Sequence, residues 1–252
     1  MKKLALFASF LFVAGSANAQ YPVGTLSVQP KVGFTAAALT NTPDLHIEGL
    51  ANTLKKTPNV GTYVGVELEY QATPWLGLTA ALSYKEQGCA WEDFDYTVDD
   101  REYDAISQMF PSYDLGYNRV NVRGYNNQIE LGYLNLPLIA NFYVWKGLAL
   151  KVGVQVGLLT NAHFMESAKA DTKVGDTKVY GNLDIRRNMR KDCNKLDIAI
   201  PVGLSYEFKR HIVLDARYDI GLLKLIKEED PLAPEHNRVF QMSIGYKFKI
   251  KK

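Results

Sequence analysis

Between positions 134 and 159 the chain reads LNLPLIANFYVWKGLALKVGVQVGLL, a run apolar enough to suggest a membrane helix. Its period excludes one. Leu148, Leu150, Val152, Val154, Val156 and Leu158 alternate with Ala149, Lys151, Gly153, Gln155 and Gly157, the two-residue repeat of a strand with unlike faces. Pro137 would break a helix, and Gly147, Gly153 and Gly157 would weaken it. The same alternation recurs along the chain and predicts eight strands, at about 26–38, 61–72, 76–87, 129–145, 147–160, 195–208, 211–223 and 238–250.

The connections alternate too. Thr73-Pro74-Trp75, Trp145-Lys146-Gly147 and Lys209-Arg210-His211 are short enough for hairpins between antiparallel neighbours. The other four, roughly 39–60, 88–128, 161–194 and 224–237, are longer than most loops in compact domains. Alternating short and long connections place every long loop at one end of an up-and-down barrel, the layout of bacterial outer-membrane barrels.

The two faces of the strands carry opposite chemistry. Val64, Val66, Leu68 and Tyr70 share one face, and Gly65, Glu67 and Glu69 lie on the other. Leu196, Ile198, Ile200, Val202, Leu204 and Tyr206 repeat the pattern opposite Asp197, Gly203 and Ser205. A soluble, lipocalin-like barrel would point the apolar face inward; a membrane barrel points it at lipid. The aromatic residues favour lipid. Trp75 and Trp145 sit at short turns, and Tyr70, Tyr84, Phe142, Tyr206, Phe208, Tyr218, Tyr246 and Phe248 fall towards strand ends, as two interfacial girdles require. The fold expected is all-β, an eight-stranded antiparallel up-and-down transmembrane β-barrel with long extracellular loops.

In this barrel Leu134, Leu136, Leu138, Ala140, Phe142 and Val144 face lipid, while Asn135, Pro137, Asn141 and Tyr143 face inward. Just upstream, Ile129, Leu131 and Tyr133 put apolar residues on the opposite parity. Either a β-bulge lies near Gly132, or the strand continues above the membrane. Pro137 and Pro201 lie mid-strand and lack the N–H of a ladder bond, so local irregularities are expected at both.

The N-terminus explains how such a barrel reaches an outer membrane. Lys2 and Lys3 precede an apolar core from Leu4 to about Gly15 and the small-x-small triplet Ala17-Asn18-Ala19, the form of a secretory signal. That core is too short to span roughly 30 Å of hydrocarbon. Residues 1–19 are therefore expected to be a signal peptide and 20–252 an outer-membrane β-barrel domain, in a gram-negative bacterium with the long loops extracellular. Outer-membrane lipid is then the obligatory partner. A net charge of +2, without a basic patch interleaved with aromatics, gives no reason to expect a nucleic-acid partner.

YLNLPLIANFY (133–143), PVGLSYEF (201–208) and the ending SIGYKFKI (243–250) resemble the PorT-like outer-membrane β-barrel family, small barrels of the general OmpA/OmpX build. The resemblance spans essentially the whole mature chain. It implies an eight-stranded barrel with an aromatic-bearing last strand, although Lys249, Lys251 and Lys252 depart from that ending. Some members are linked to secretion or gliding machinery, and no residue-level function carries over.

Inward parity collects Lys31, Lys85, Lys151, Arg217 and Lys247 against Glu67, Glu69, Asp197, Glu207, Asp215 and Asp219. Glu67 with Glu69, or Asp215 with Asp219, has the spacing of a general acid and base on one strand face. Any polar lumen produces the same spacing, however. An eight-stranded barrel is only wide enough to be filled by side chains, so a salt-bridged plug is the better reading. His46, His163 and His236 fall on long loops and His211 on a short turn, with no nucleophile motif or HExxH-like spacing. No cofactor or metal is expected. WEDFDYTVDDREYD (91–104) is acidic and aromatic but lacks a calcium-loop pattern, RRNMRK (186–191) is basic, and DTKVGDTKV (171–179) suggests a small hairpin. Cys89 and Cys193 fall at the same rim of an exported barrel, which makes them a candidate disulfide that could draw the acidic and basic runs together.

These features predict a non-enzymatic barrel whose outer loops bind or dock a protein partner. The alternatives are an accessory subunit of an envelope secretion complex, a substrate channel, and a rim enzyme acting on lipid or peptide through His163 or His236.

Overall fold

The computed structural model describes residues 21–42, 44, 54–98, 120–174, 176–208, 211–227 and 236–251. The leader segment 1–19, His46, Lys209, Arg210 and positions 99–104 of the acidic run lie outside the described residues.

Eight strands form a closed antiparallel ring: β1 (Leu26–Leu39), β3 (Asn59–Thr73), β4 (Leu76–Trp91), β6 (Val120–Trp145), β7 (Leu148–Val174), β9 (Leu196–Glu207), β10 (Ile212–Gly221) and β11 (Asn237–Tyr246). Each pairs with the next, and β11 closes on β1 through Lys31–Gly245 to Leu39–Asn237. Closure leaves the ring without a free edge. The ring strands alternate buried polar with exposed apolar side chains because one face fills the lumen and the other looks outward. On the outward face the apolar band runs from Leu134 to Phe142 on β6 and from Leu150 to Leu158 on β7, matching the roughly 9–11 residues of a tilted membrane strand.

Aromatics mark the short-turn end of the band. Trp75 stacks on Phe142 at 6.1 Å, Tyr206 meets Phe208 edge-on at 4.8 Å, and Tyr246 lies 4.5 Å from Phe248. Pro74 and Trp75 make the turn between β3 and β4. Lys146 and Gly147 make the next, with Gly147 at φ 78°, which costs a glycine little.

The long-loop end departs from the sequence reading. β6 and β7 run 26 and 27 residues, far beyond the band, and absorb parts of the stretches expected as loops at 88–128 and 161–194. Short strands flank them: β5 (Phe94–Val98) pairs with β6, and β8 (Thr177–Asn188) pairs with β7 from Val174–Thr177 to His163–Asn188. The expected hairpin at 171–179 is thus the tip of a much longer one. β2 (Lys56–Thr57) joins β4, and β12 (Phe248–Lys251) continues β11 along β1.

The irregularities have local causes. The register shifts between Gly132 and Tyr133 because β7 carries Thr160 as an extra residue. Opposite Pro137, the β4–β6 ladder breaks between Ala80–Leu138 and Ser83–Asn135 without changing register. The β7–β9 ladder breaks in the same way opposite Pro201, between Val152–Val202 and Gln155–Ala199. Each proline removes a donor while its neighbours hold the alignment.

Candidate functional site

Two layers occupy the barrel: a charged lumen and an apolar cap over its long-loop end. All eleven inward charges named above are buried. Three groups divide them along the axis.

At the short-turn end, Lys247 bonds Glu69 at 3.0 Å and Glu207 at 3.2 Å. Tyr143 donates its hydroxyl to Glu69, and Gln29 donates an amide N–H to the other carboxylate oxygen at 3.0 Å. His211 Nδ1 lies 3.5 Å from Glu207 and 2.7 Å from the Tyr21 hydroxyl. Burial and then the Glu207 carboxylate raise the Tyr21 phenol above its ordinary pKa. Its ring also receives Lys247 at 5.1 Å, which places Tyr21 against this group of charges.

The middle group is the densest. Lys31 donates to Glu67 at 2.7 Å and to Asp215 at 3.0 Å. Lys151 joins Asp215 and lies 3.6 Å from Glu67. Arg217 donates one nitrogen to Glu67 and its Nε to Asp215 at 2.6 Å. Three cations thus enclose two carboxylates contributed by β3 and β10. Each cation reaches both carboxylates, so removing either carboxylate would strand buried positive charge.

Above it, Lys85 pairs with Asp219 and donates to the Gln155 and Gln241 side-chain oxygens at 3.0 and 3.4 Å, while Asn237 donates to Asp197 at 3.2 Å. Chemically the stack is a plug. The carboxylates spaced two or four apart are tied to cations within it, which leaves none of them poised as a base towards an open pocket.

The cap is apolar. Leu39, Leu54, Trp91, Phe94, Ile129, Leu131, Tyr133, Leu159, Ala162 and Leu225 pack together with both cysteines. The structure corrects the expected disulfide: Cys89 and Cys193 are free thiols. They enter the cluster from separate attachments, Cys89 paired with Ile129 on β6 and Cys193 bridged to Ile226. Burial pushes the Cys89 thiol up to about 12 and that of Cys193 up to about 11. Both runs reach the cap, the acidic one through Trp91 and Phe94 and the basic one through Met189, but no ion pair among the described residues joins them. Asp95 lies 3.8 Å from Arg123, Arg186 meets His163 at 3.4 Å, and Arg187 lies over Phe164. His236 is held by its backbone, its N–H donating to Thr40 Oγ1 at 3.0 Å. No group of three or more His, Cys, Asp or Glu among the described residues is placed to hold a metal.

Sequence reading missed the cap, since its members come from seven separate stretches and several lie in presumed loops. The available signal was the apolar parity of Ile129, Leu131 and Tyr133, which marks an inward face with no membrane outside it.

A closed eight-stranded ring with a polar lumen and an outward apolar band carrying aromatics at its short-turn end defines an outer-membrane β-barrel. The chain belongs to the outer membrane protein beta-barrel domain family, whose model matches residues 16–227. No curated protein matches the sequence. Among solved structures it is similar to Ail, the attachment invasion locus protein of Yersinia pestis, at 11% identity over 90% of this chain and 100% of that one, with a TM-score of 0.40. Neisserial surface protein A shares 12% identity over 89% and 97% of the two chains, with a TM-score of 0.37. The N-terminal β-barrel domain of Pseudomonas aeruginosa OprF shares 14% over 89% and 99%, with a TM-score of 0.32.

Proposed function

We propose that this protein is a non-enzymatic outer-membrane barrel that holds a stiff docking platform outside the cell. The platform is the extension of β6 and β7 with their flanking strands β5 and β8, raised on the long-loop side, which we place extracellularly. One observation carries the reading. Along β6, outward residues change from Leu138, Leu136 and Leu134 to Glu130 and Gln128, while inward residues change from Asn141 and Asn135 to Leu131 and Ile129. The lower part has the chemistry of a membrane barrel and the upper part that of a water-soluble one. Building a second core above the lipid has a use if the surface it supports must keep its shape.

The plugged lumen argues against a solute channel, and among the described residues the surroundings of His163 and His236 supply no activated nucleophile. The export signal at 1–19, the PorT-like resemblance and a protein partner at the platform belong to the same proposal. The test removes the β7–β8 half of the platform and leaves the band-level ring: Glu166–Ile185 is replaced by a tight turn, and both forms are used as bait in detergent-solubilised envelope. Capture of a partner by the full chain alone supports docking at the platform. Equal capture by both forms refutes it.

A further inference from the structure

β8 is hydrogen-bonded along one edge, to β7, and among the described residues no backbone hydrogen bond reaches its other edge. Open edges of this kind invite another strand unless something blunts them. Its odd-numbered residues Val179 and Leu183 join an apolar cluster with Val120, Val122, Ala168 and Ala170. The even-numbered ones, Lys178, Tyr180, Asn182, Asp184 and Arg186, are exposed.

We propose that β8 pairs antiparallel, edge to edge, with β8 of a second copy of this chain, centred on Gly181. A two-fold contact must place residue i opposite j and j opposite i. Directly opposed residues in an antiparallel pair turn their backbone groups the same way, so both must have the same parity and the axis must pass through a residue. Centred on Gly181, Lys178 faces Asp184 and Asp176 faces Arg186, each twice by symmetry. On the other side of the sheet Val179 faces Leu183 and Thr177 faces the exposed Ile185, extending the apolar cluster across the contact. Centred on Tyr180, Asp176 would face Asp184; centred on Asn182, Lys178 would face Arg186. Like charges directly opposite each other are destabilising, so the sequence selects one register of the three. Within its own hairpin Lys178 faces Lys173, a repulsion that an aspartate on the open side offsets.

The arrangement of the two copies follows from the same symmetry. The β5–β8 sheet continues the barrel wall, so its normal lies near the membrane plane. The two-fold axis of an antiparallel pair is parallel to that normal and turns the second copy upside down. The partner therefore stands in a facing membrane, and the contact is a homotypic tether. This rests on the platform being extracellular, but the strand contact itself can be measured without that assumption.

In detergent, the purified full chain is expected to show a concentration-dependent dimer by light-scattering mass. Lys178→Asp and Asp184→Lys, both at exposed positions, should each weaken it by roughly tenfold or more, and the double variant should restore it. Mixed together, the two single variants should also associate, because each then carries one sign of charge at both positions. In proteoliposomes, vesicles bearing either single variant should fail to cluster alone and cluster when mixed. A monomer at every concentration, or a dimer indifferent to these exchanges, overturns the proposal. A charge-dependent dimer without vesicle clustering overturns the facing-membrane arrangement. Labelling the β7–β8 turn on intact cells tests the extracellular reading separately, and its failure would leave the detergent result standing.

Discussion

Leu131 and Leu134 lie three residues apart on β6 and face opposite ways, Leu131 fully buried in the cap and Leu134 39% exposed on the outward band. Just beyond Leu131 the outward face of β6 changes from Leu134 to Glu130 and Gln128, where the lipid boundary is expected. Charge should therefore be penalised by height as well as by face. Val154→Arg, outward near the middle of the band, is expected to cost roughly 2–4 kcal/mol, and Gln128→Arg, outward above it, about 0–1. Urea unfolding in lipid vesicles measures both. Equal costs would place the lipid boundary elsewhere.

The central charge group makes a different demand. Glu67→Gln leaves Lys31, Lys151 and Arg217 buried around the single carboxylate of Asp215, and a loss of about 3–5 kcal/mol is expected. Adding Lys151→Met should recover part of it, because one of the stranded cations is then gone. A double variant as unstable as the sum of its two singles would show that the ions act independently. The readout is the same unfolding midpoint, with heat-modifiable gel migration as a check that the barrel forms.

The ring was legible in the chain because each of its strands keeps one parity through the outward apolar band. Glu67 and Arg217 share an interior because odd positions on β3 and β10 both point inward. The upper storey was not legible, since parity breaks there twice. Thr160 is an extra residue on β7, and Asn126, at φ 59°, lies in the shift between Tyr125 and Gln128. Above these breaks the inward residues include Ala162, Ala168 and Ala170, too small to stand out as a hydrophobic repeat. A strand with short apolar residues and a broken period resembles a loop. The cysteines were misjudged for the same reason: placed on loops at a rim they looked free to meet, whereas each is fixed in a packed cap.

Planar-bilayer recordings should show no stable solute-sized openings. Three ion-paired layers cross a lumen that an eight-stranded ring leaves only side-chain wide. Brief flickers are compatible with a plug whose members exchange partners. Large, sustained conductance steps from the purified chain would mean that the layers part as a unit.

The two thiols should be silent in the folded protein and count as two when it is opened. At pH 8, folded chains in detergent are expected to resist alkylation, because burial holds Cys89 up to about 12 and Cys193 up to about 11 and the thiolate is the reactive form. Denaturation without reductant should then release two reactive thiols per chain; none would mean a disulfide. The same shift makes stability depend on pH. In the unfolded chain a thiol loses its proton near pH 8.5, while in the fold it keeps it, so between those values the native state binds more protons. Stability is therefore full below about pH 8.5 and falls as pH rises towards the folded values, by up to about 1.4 kcal/mol per thiol per pH unit. Lysines and tyrosines titrate over the same interval, so the comparison is with the Cys89→Ala, Cys193→Ala double variant. Its unfolding midpoint should fall less steeply between pH 8 and 10.5 than that of the native chain. Identical slopes would show that the cap admits water to both sulfurs.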